Sequence, residues 1–497
     1  MNNIETLKHT SLGEGVAERE QDELQNYFVR TEAWEMLNEG RVDIIYGGKG
    51  TGKSALYLLL MRGETKSQLE KTGIYVIAGE EISGDPVFQS LNEDKNNVLD
   101  ENSFRDLWKV YILTLIGNHI KAKENYPNGF NEILSLLKKE ELIPLEGLQR
   151  IFKVALDRIL RAKHTLSTSG TSSYTVTLGE PTLEEERAGK ISIRNLLKKV
   201  DEILIKENKE IWILFDRLDA AFTRHEVETP ALRALFRVYL DFAGFRNIKL
   251  KIFLRDDIWE RITKEEGFRE QSHITRYYHI KWNPDSLQHL ILSRFFNNIA
   301  IEEYTKLKRD MLGNPKIQEA AFYTIFPSQV ESAAKKPKTF DWILKRVQDG
   351  KQNSAPREVI NLIKFAREQQ VRLAEVGGTG SNPDGHLISA NALSLGLEEV
   401  SKIKVETLWS EYPELRVYIE LFRGAKTEHT SDSIKELFSM NKLNDVMNTI
   451  KKLTEVGFLQ ERKRSLKTTY WVPFIFRPFL SMSQGSAFDK DVADIDE

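Results

Sequence analysis

The chain contains no cysteine. Disulfides, thiolate zinc sites, iron–sulfur clusters and cysteine nucleophiles are therefore excluded together. It also lacks a dominant charge. Lys and Arg number 71 against 74 Asp and Glu, a formal net charge of −3. That balance excludes the global basicity of a dedicated nucleic-acid coat protein and leaves a local basic patch open. The nine histidines are scattered and form no metal-site spacing. No stretch approaches the roughly 18 apolar residues needed to cross a bilayer. Met1–Gly13 is polar, without the apolar centre of a secretory leader. The expectation is a cytoplasmic protein with no membrane partner. No repeat of solenoid or propeller length is present, which excludes those architectures.

What is present is an ordinary globular composition, 40 % apolar and 29 % charged over 497 residues. A prior of roughly 150 residues per domain suggests about three domains. The first apolar burst, Val42–Tyr46, runs straight into a glycine-rich turn and then into helical spacing from Ser54 to Met61. Further strand-like runs are Ile74–Ala78, Ile211–Phe215, Ile248–Leu254 and Arg276–Trp282. Helical patterns over 103–163, 191–207, 230–244 and from Asp256 alternate with them. Strand–helix alternation from residue 42 to 282 implies a right-handed α/β layer structure with a parallel sheet. The uncharged Ser/Thr/Gly stretch Thr165–Thr177 reads as an inserted loop or hairpin. The expected divisions are a core over 1–283 with an N-terminal helical extension and a helical insertion, and a helical lid over 284–376. After the Gly377–Gly385 linker come a helical connector (386–425), a winged-helix-like module (426–482) and an acidic disordered tail (483–497).

The turn Gly47-Gly48-Lys49-Gly50-Thr51-Gly52-Lys53-Ser54 satisfies G-x-x-x-x-G-K-[ST]. Glycines let successive N–H groups point inward at phosphate oxygens, and the following helix adds the positive end of its dipole. Lys53 would reach the β- and γ-phosphates of ATP, and Ser54 would place its hydroxyl on Mg²⁺. The motif requires no particular side chain at Tyr46 or Lys49. The apolar strand Ile211–Phe215 ends in Asp216, as does the strand next to the phosphate loop in P-loop enzymes, where the carboxylate holds Mg²⁺. Asp216 is alternatively a helix cap. The next position carries Arg217, which cannot accept a proton from water at neutral pH. Asp219 is then the nearest base, or a partner of Arg217, or a cap; Glu226 and Glu228 are weaker candidates. Arg255, at the end of the strand after the acidic one, is placed either to sense the γ-phosphate or to pair with Asp256 or Asp257. Arg357 opens a helix after Pro356, as a lid residue reaching the nucleotide or as an ordinary surface arginine. Arg233, Arg237, Arg269 and Arg276 are possible fingers in trans, and nothing in the sequence selects among them.

GGKGTGKS, WILFDRLDAAF, IFLRDDIWERI, YHIKWNPDSLQHLILSRF and APREVINLIKFA together cover a resemblance over about residues 25–425. The set resembles the AAA+-related branch of P-loop NTPases that includes the signalling STAND ATPases and the KAP-type ATPases. More closely, it resembles bacterial P-loop ATPases with an F-D-x-L-D acidic motif, met near defence and mobile-element genes. The resemblance implies Lys53 and Ser54 on phosphate and magnesium, Asp216 on magnesium, Arg255 as the sensor on the fourth strand and Arg357 as a second sensor in the lid. Arg217 departs from the acidic residue usual there and puts the turnover rate in question.

Ser431–Met440 and Leu443–Val456 are amphipathic, and strands at Phe458–Gln460 and Thr468–Val472 flank the basic turn Arg462–Lys467. Helix, helix, strand, wing, strand outlines a winged helix, which either contacts nucleic acid or packs on the ATPase as a switch. Between 426 and 467 nine Lys or Arg face six Asp or Glu, an excess too small to establish a DNA footprint. The expected fold is therefore an AAA+/STAND-like P-loop core, a helical lid and a winged-helix-like module. The expected function is Mg²⁺-dependent ATP hydrolysis driving an oligomeric or conformational switch on a partner effector protein, in bacterial defence by analogy. The alternatives are a DNA-directed motor or loader and a nucleotide-gated scaffold with little hydrolysis.

Overall fold

A computed structural model describes residues 3–80, 99–123, 126–167, 175–218, 225–264, 268–377, 385–440, 442–464 and 467–488. The chain divides into two compact units. One is Arg30–Ile280; the other joins Met1–Val29 to Lys281–Glu497.

The Arg30–Ile280 unit is built on five parallel strands: β1 (Ile44–Gly47), β2 (Ile74–Ala78), β3 (Glu210–Phe215), β4 (Ile248–Arg255) and β5 (Tyr277–His279). Their order is β2-β3-β4-β1-β5. Continuous apolarity forced the central strands inside: Ile211 to Phe215 are all buried, as parallel strands covered on both faces should be. The order differs in one respect from the expectation of an acidic strand next to the phosphate-loop strand. β4 lies between β3 and β1, with Phe215 opposite Ile252 and Gly47 opposite Arg255. The chain leaves β1 towards β2 at one edge, then returns through β3 and β4 and passes β1 to reach β5. Right-handed crossovers therefore put the helix after β1 on one face and those after β2, β3 and β4 on the other. Side chains follow suit. Tyr57 of α1 (Lys53–Met61) meets Phe253 edge-on at 6.0 Å, whereas Tyr46 on β1 stacks at 4.7 Å on Trp259. Trp259 belongs to the helix that follows β4. On the second face α2 (Glu101–Ala122), α3 (Ile193–Lys206) and α4 (His225–Phe242) share one core with α5 (Asp256–Lys264), the helix of Trp259.

The foot of the sheet holds charge that the apolar pattern hides. Lys251 on β4 is fully buried, yet its Nζ donates to Val42 O at 2.6 Å and to Asp43 Oδ1 at 2.8 Å, and lies 4.3 Å from the Trp212 ring. Burial, set against the Asp43 carboxylate, holds the Lys251 ammonium below its ordinary pKa. Asp43 Oδ2 also accepts from Arg276 Nε at 2.6 Å. Arg276 is thus engaged within its own chain.

Of the segment Thr165–Thr177, expected as an inserted loop or hairpin, residues 168–174 lie outside the described residues. The helix Leu148–Ser167 runs into it, and Val176–Thr177 at its end pairs in parallel with Ile191–Ser192.

In the second unit, α6 (Pro284–Phe295), α7 (Pro315–Ile325), α8 (Thr339–Val347), α9 (Pro356–Gly377) and α10 (Ala390–Glu411) make a helical body. A Cβ at Gly396 would lie 2.7 Å from Ala366 N, so α9 and α10 meet backbone to backbone. Arg294 on α6 anchors the N-terminal segment, its guanidinium pairing with buried Glu20 at 2.7 and 2.9 Å. The C-terminal module consists of β6 (Lys426–His429), α11 (Ser431–Phe438), α12 (Leu443–Glu455), β7 (Gln460–Arg464), β8 (Lys467–Trp471) and β9 (Ser483–Ser486), with sheet order β9-β6-β8-β7. β6 and β9 were not expected. β9 lies within the segment read as a disordered tail and pairs in parallel with β6; residues 489–497 of that tail lie outside the described residues. The module shares a continuous apolar core with the helical body. Phe479 N donates to Ser401 Oγ on α10 at 3.1 Å, and Gly350 N to Gly457 O at 2.7 Å. Residues 378–384 of the expected linker also fall outside the described residues.

Removing one partner of a buried ion pair leaves an uncompensated charge, which costs about 3–5 kcal/mol. Asp43→Ala should lower the unfolding free energy by that amount in a denaturant titration. Asp43→Leu combined with Lys251→Met should lose clearly less.

Candidate functional site

Three sequence-predicted positions end neighbouring strands of one parallel sheet: Gly47 on β1, Asp216 just after β3, and Arg255 on β4. Ligands in open α/β sheets bind outside the carboxyl ends of the strands, where successive connections leave in opposite directions. β1 is that place here, because the chain departs on one side of it and finishes on the other.

The loop Gly47–Ser54 has the backbone its glycines permit. Gly50 and Gly52 hold φ of +80° and +98°, and Gly52 forms the left-handed entry to α1. A Cβ on Gly47 would come 2.8 Å from Thr51 Oγ1, whereas one on Gly48 would meet nothing closer than 3.6 Å. Thr51 Oγ1 donates to Gly48 O at 2.8 Å, closing the turn. Lys53 Nζ donates to Gly47 O at 2.7 Å and Gly48 O at 2.9 Å, so the ammonium lies folded over the loop. Lys49 is exposed and Ser54 half-buried at the helix start.

Asp216 is 2 % exposed at the end of β3. Arg217 follows with φ +55°, a left-handed conformation that a branched-free but bulky side chain adopts at a cost. Asp219, read as the nearest base, a partner of Arg217 or a cap, lies outside the described residues, as does the Glu226 side chain. Glu228, a weaker base candidate, is buried and bonded to Arg261 at 2.6 Å. Arg255 makes the alternative contact named for it: Nε and Nη2 fork onto Asp257 Oδ1 and Oδ2, both at 3.0 Å. Of the possible fingers, Arg237 pairs with Glu101 at 2.5 Å and with Glu270 at 3.3 Å. Arg357 stands at the start of α9 in the other unit, and among the described residues it has no ion pair.

Sequence reading missed the group beside the loop. Asp256 Oδ2 is 3.7 Å from where a Gly48 Cβ would stand, and Asp256 Oδ1 lies 3.3 Å from His279 Nε2. His279 stacks on Tyr46 at 4.6 Å, so Tyr46 is held between His279 and Trp259. Burial, then the neighbouring Tyr277, Asp256 and Glu260, push the Tyr46 hydroxyl above its ordinary pKa. The available signal was position alone: each residue ends or follows a core strand. Among the described residues no three His, Asp or Glu side chains cluster as a metal site, and no helix is long and apolar enough to cross a membrane.

No family model matches the chain, and no curated protein does. Among solved structures, the chain is similar to the Aeropyrum pernix ORC2 protein in ADPNP–ADP complexes, at 13 % identity over 91 % of this chain and 92 % of that one, with a TM-score of 0.39. The ADP form of that protein gives 13 % identity, 94 % and 92 % coverage and 0.31. Cdc6p from Pyrobaculum aerophilum gives 14 % identity, 80 % and 98 % coverage and 0.21.

The two glycine classes in the loop predict different costs. Gly48→Ala should change stability by less than about 0.5 kcal/mol. Gly52→Ala, forced into positive φ with open space around its Cβ, should lose about 1–2 kcal/mol. Thermal unfolding of the two nucleotide-free variants checks the order.

Proposed function

We propose that the chain is a Mg²⁺-dependent ATPase of the AAA+-related P-loop class. One observation carries the reading: a G-x-x-x-x-G-K-S loop, a buried aspartate and an arginine terminate β1, β3 and β4 at the same edge of one parallel sheet. The loop amides of Gly48 to Ser54 bind the phosphates. Lys53 exchanges its two carbonyl contacts for β- and γ-phosphate oxygens, which satisfy its charge better than neutral carbonyls do. The Ser54 hydroxyl and the Asp216 carboxylate are hard oxygen donors and fit Mg²⁺, which takes its other ligands from phosphate and water. The ion supplies charge neutralisation at the phosphates.

Arg255 reaches phosphate by giving up Asp257, a release that couples nucleotide state to the start of α5. Asp219 serves as the base that orients water. Arg357 closes the helical lid onto the nucleotide. The output is a change of conformation or of homo-oligomeric state that acts on a partner effector protein, in a cytoplasmic, defence-associated setting. The boundaries proposed from sequence for core, lid, connector and winged-helix-like module serve as its moving parts.

A second reading, a nucleotide-gated scaffold that barely hydrolyses ATP, is favoured by Arg217 at the position after Asp216. The DNA-directed reading rests on the winged-helix-like module and its basic turn.

Lys53→Ala should abolish ATP binding in an equilibrium titration. In single-turnover hydrolysis, Asp216→Asn should slow turnover at least about 100-fold, the scale of losing a transition-state electrostatic group. Asp219→Asn should be as slow if it orients the water. Hydrolysis at wild-type rate in both aspartate variants would remove the metal and base assignments.

A further inference from the structure

The Arg30–Ile280 unit holds a second concave site, away from the glycine loop. Its charged lining is Arg105 and Lys109 on α2, Arg194 on α3 and Asp241 on α4. Its apolar lining is Leu197 on α3, Phe242 at the end of α4, and Phe245. Together they enclose a cavity of about 120 Å³. Phe245 lies just before β4 begins at Ile248, so the cavity is at the amino end of that strand. The Gly47–Ser54 loop leaves the carboxyl end of its own strand, β1.

The two parts of the lining differ in chemistry. Leu197 and Phe242 are buried and Phe245 is half-buried. The two phenylalanine rings meet edge to face at right angles, 5.0 Å between centroids. Such a surface gains from covering by another apolar group. The cations, by contrast, outnumber their partner. Arg105 Nη2 donates to Asp241 Oδ1 at 3.1 Å and to Oδ2 at 3.0 Å, and Lys109 Nζ lies 2.7 Å from Oδ2. Burial acts to raise the Asp241 carboxyl, yet Lys109 and Arg105 hold it below its ordinary pKa. One carboxylate thus serves two cations. Arg105 Nε is buried with no hydrogen-bond partner among the described residues. Arg194 is exposed and forms no ion pair among the described residues. Glu180, near the start of α3, bonds Ser192 and Asn195 instead. Asp106, next to Arg105, is a second carboxylate close by; burial first raises its pKa, against Lys109 and Arg105. Three cations against Asp241 and Asp106 leave one positive charge in excess.

We propose that this cavity binds a monocarboxylate with a compact apolar body, of about the size of benzoate. Arg194 takes the carboxylate head, because a guanidinium without an ion pair matches a planar carboxylate as a fork. Lys109 and Arg105 add the positive field around it. The body covers Leu197, Phe242 and Phe245. A dry cavity of about 150 Å³ holds benzene, so the slightly smaller space here takes one ring with its charged group at the mouth. A single excess charge balances one carboxylate and falls short of a phosphate dianion.

The test titrates the full chain carrying Lys53→Ala, which weakens anion binding at the glycine loop, with benzoate in a calorimeter at low salt. Benzoate should bind at least about tenfold more tightly than benzamide, which keeps the ring and loses the charge. It should exceed acetate, which keeps the charge and loses the ring, by a similar factor. Arg194→Gln should weaken benzoate about tenfold, and because Arg194 is exposed the variant should unfold at the same temperature as its host. No saturable benzoate binding, equal binding of benzamide, affinity unchanged by Arg194→Gln, or inorganic phosphate bound more tightly than benzoate would overturn the proposal.

Discussion

The contact on which the glycine-loop end of the sheet depends lies at the opposite end. Asp43 precedes β1 and takes Lys251 from β4 on one side and Arg276, leading into β5, on the other. A lysine inside a parallel sheet is stable only where its partner is. Sliding β4 by one residue against β1 would turn Lys251 to the other face and strand its charge. The pair therefore locks the register that sets Gly47 opposite Arg255. The pair returns a defined alignment, which the proposed phosphate site needs. Tyr46 reinforces that alignment from within the same strand, packed between Trp259 and His279.

At the carboxyl edge the side chains are held by local substitutes. Lys53 sits on loop carbonyls and Arg255 on Asp257. Both contacts are of a kind that phosphate oxygens replace at a gain, since a doubly charged acceptor in a partly buried site outcompetes a carbonyl or a half-exposed carboxylate. Under the proposed function this exchange is the first event of the switch. Arg217 holds backbone strain beside the buried Asp216. Strain of this kind concentrates at functional positions, and it accompanies the residue that most distinguishes this loop from an acidic-pair ATPase.

The phosphate loop was legible because its eight residues encode their own geometry: glycines where φ is positive, then a lysine at a helix start. The strands were legible because burial on both faces demands unbroken apolarity, as in Ile211–Phe215. Strand order was not, because β4 lies between β3 and β1 through crossovers that no local pattern records. Lys251 was hidden for the same reason, its partner being more than 200 residues away. β6 (KTEH) and β9 (SQGS) are short, polar edge or near-edge strands with no period-two signal. The Arg255–Asp257 contact was visible as one of two readings; what the sequence lacked was a means to weigh a neighbour two residues on against an absent phosphate.

Under the proposed function, Gly47–Ser54 with Asp216 forms a nucleotide site. Calorimetric titration of the wild-type chain with ATP, with and without Mg²⁺, tests it most directly. One site per chain and tighter binding with the metal are expected. Absence of saturable ATP binding in the presence of Mg²⁺ would contradict it.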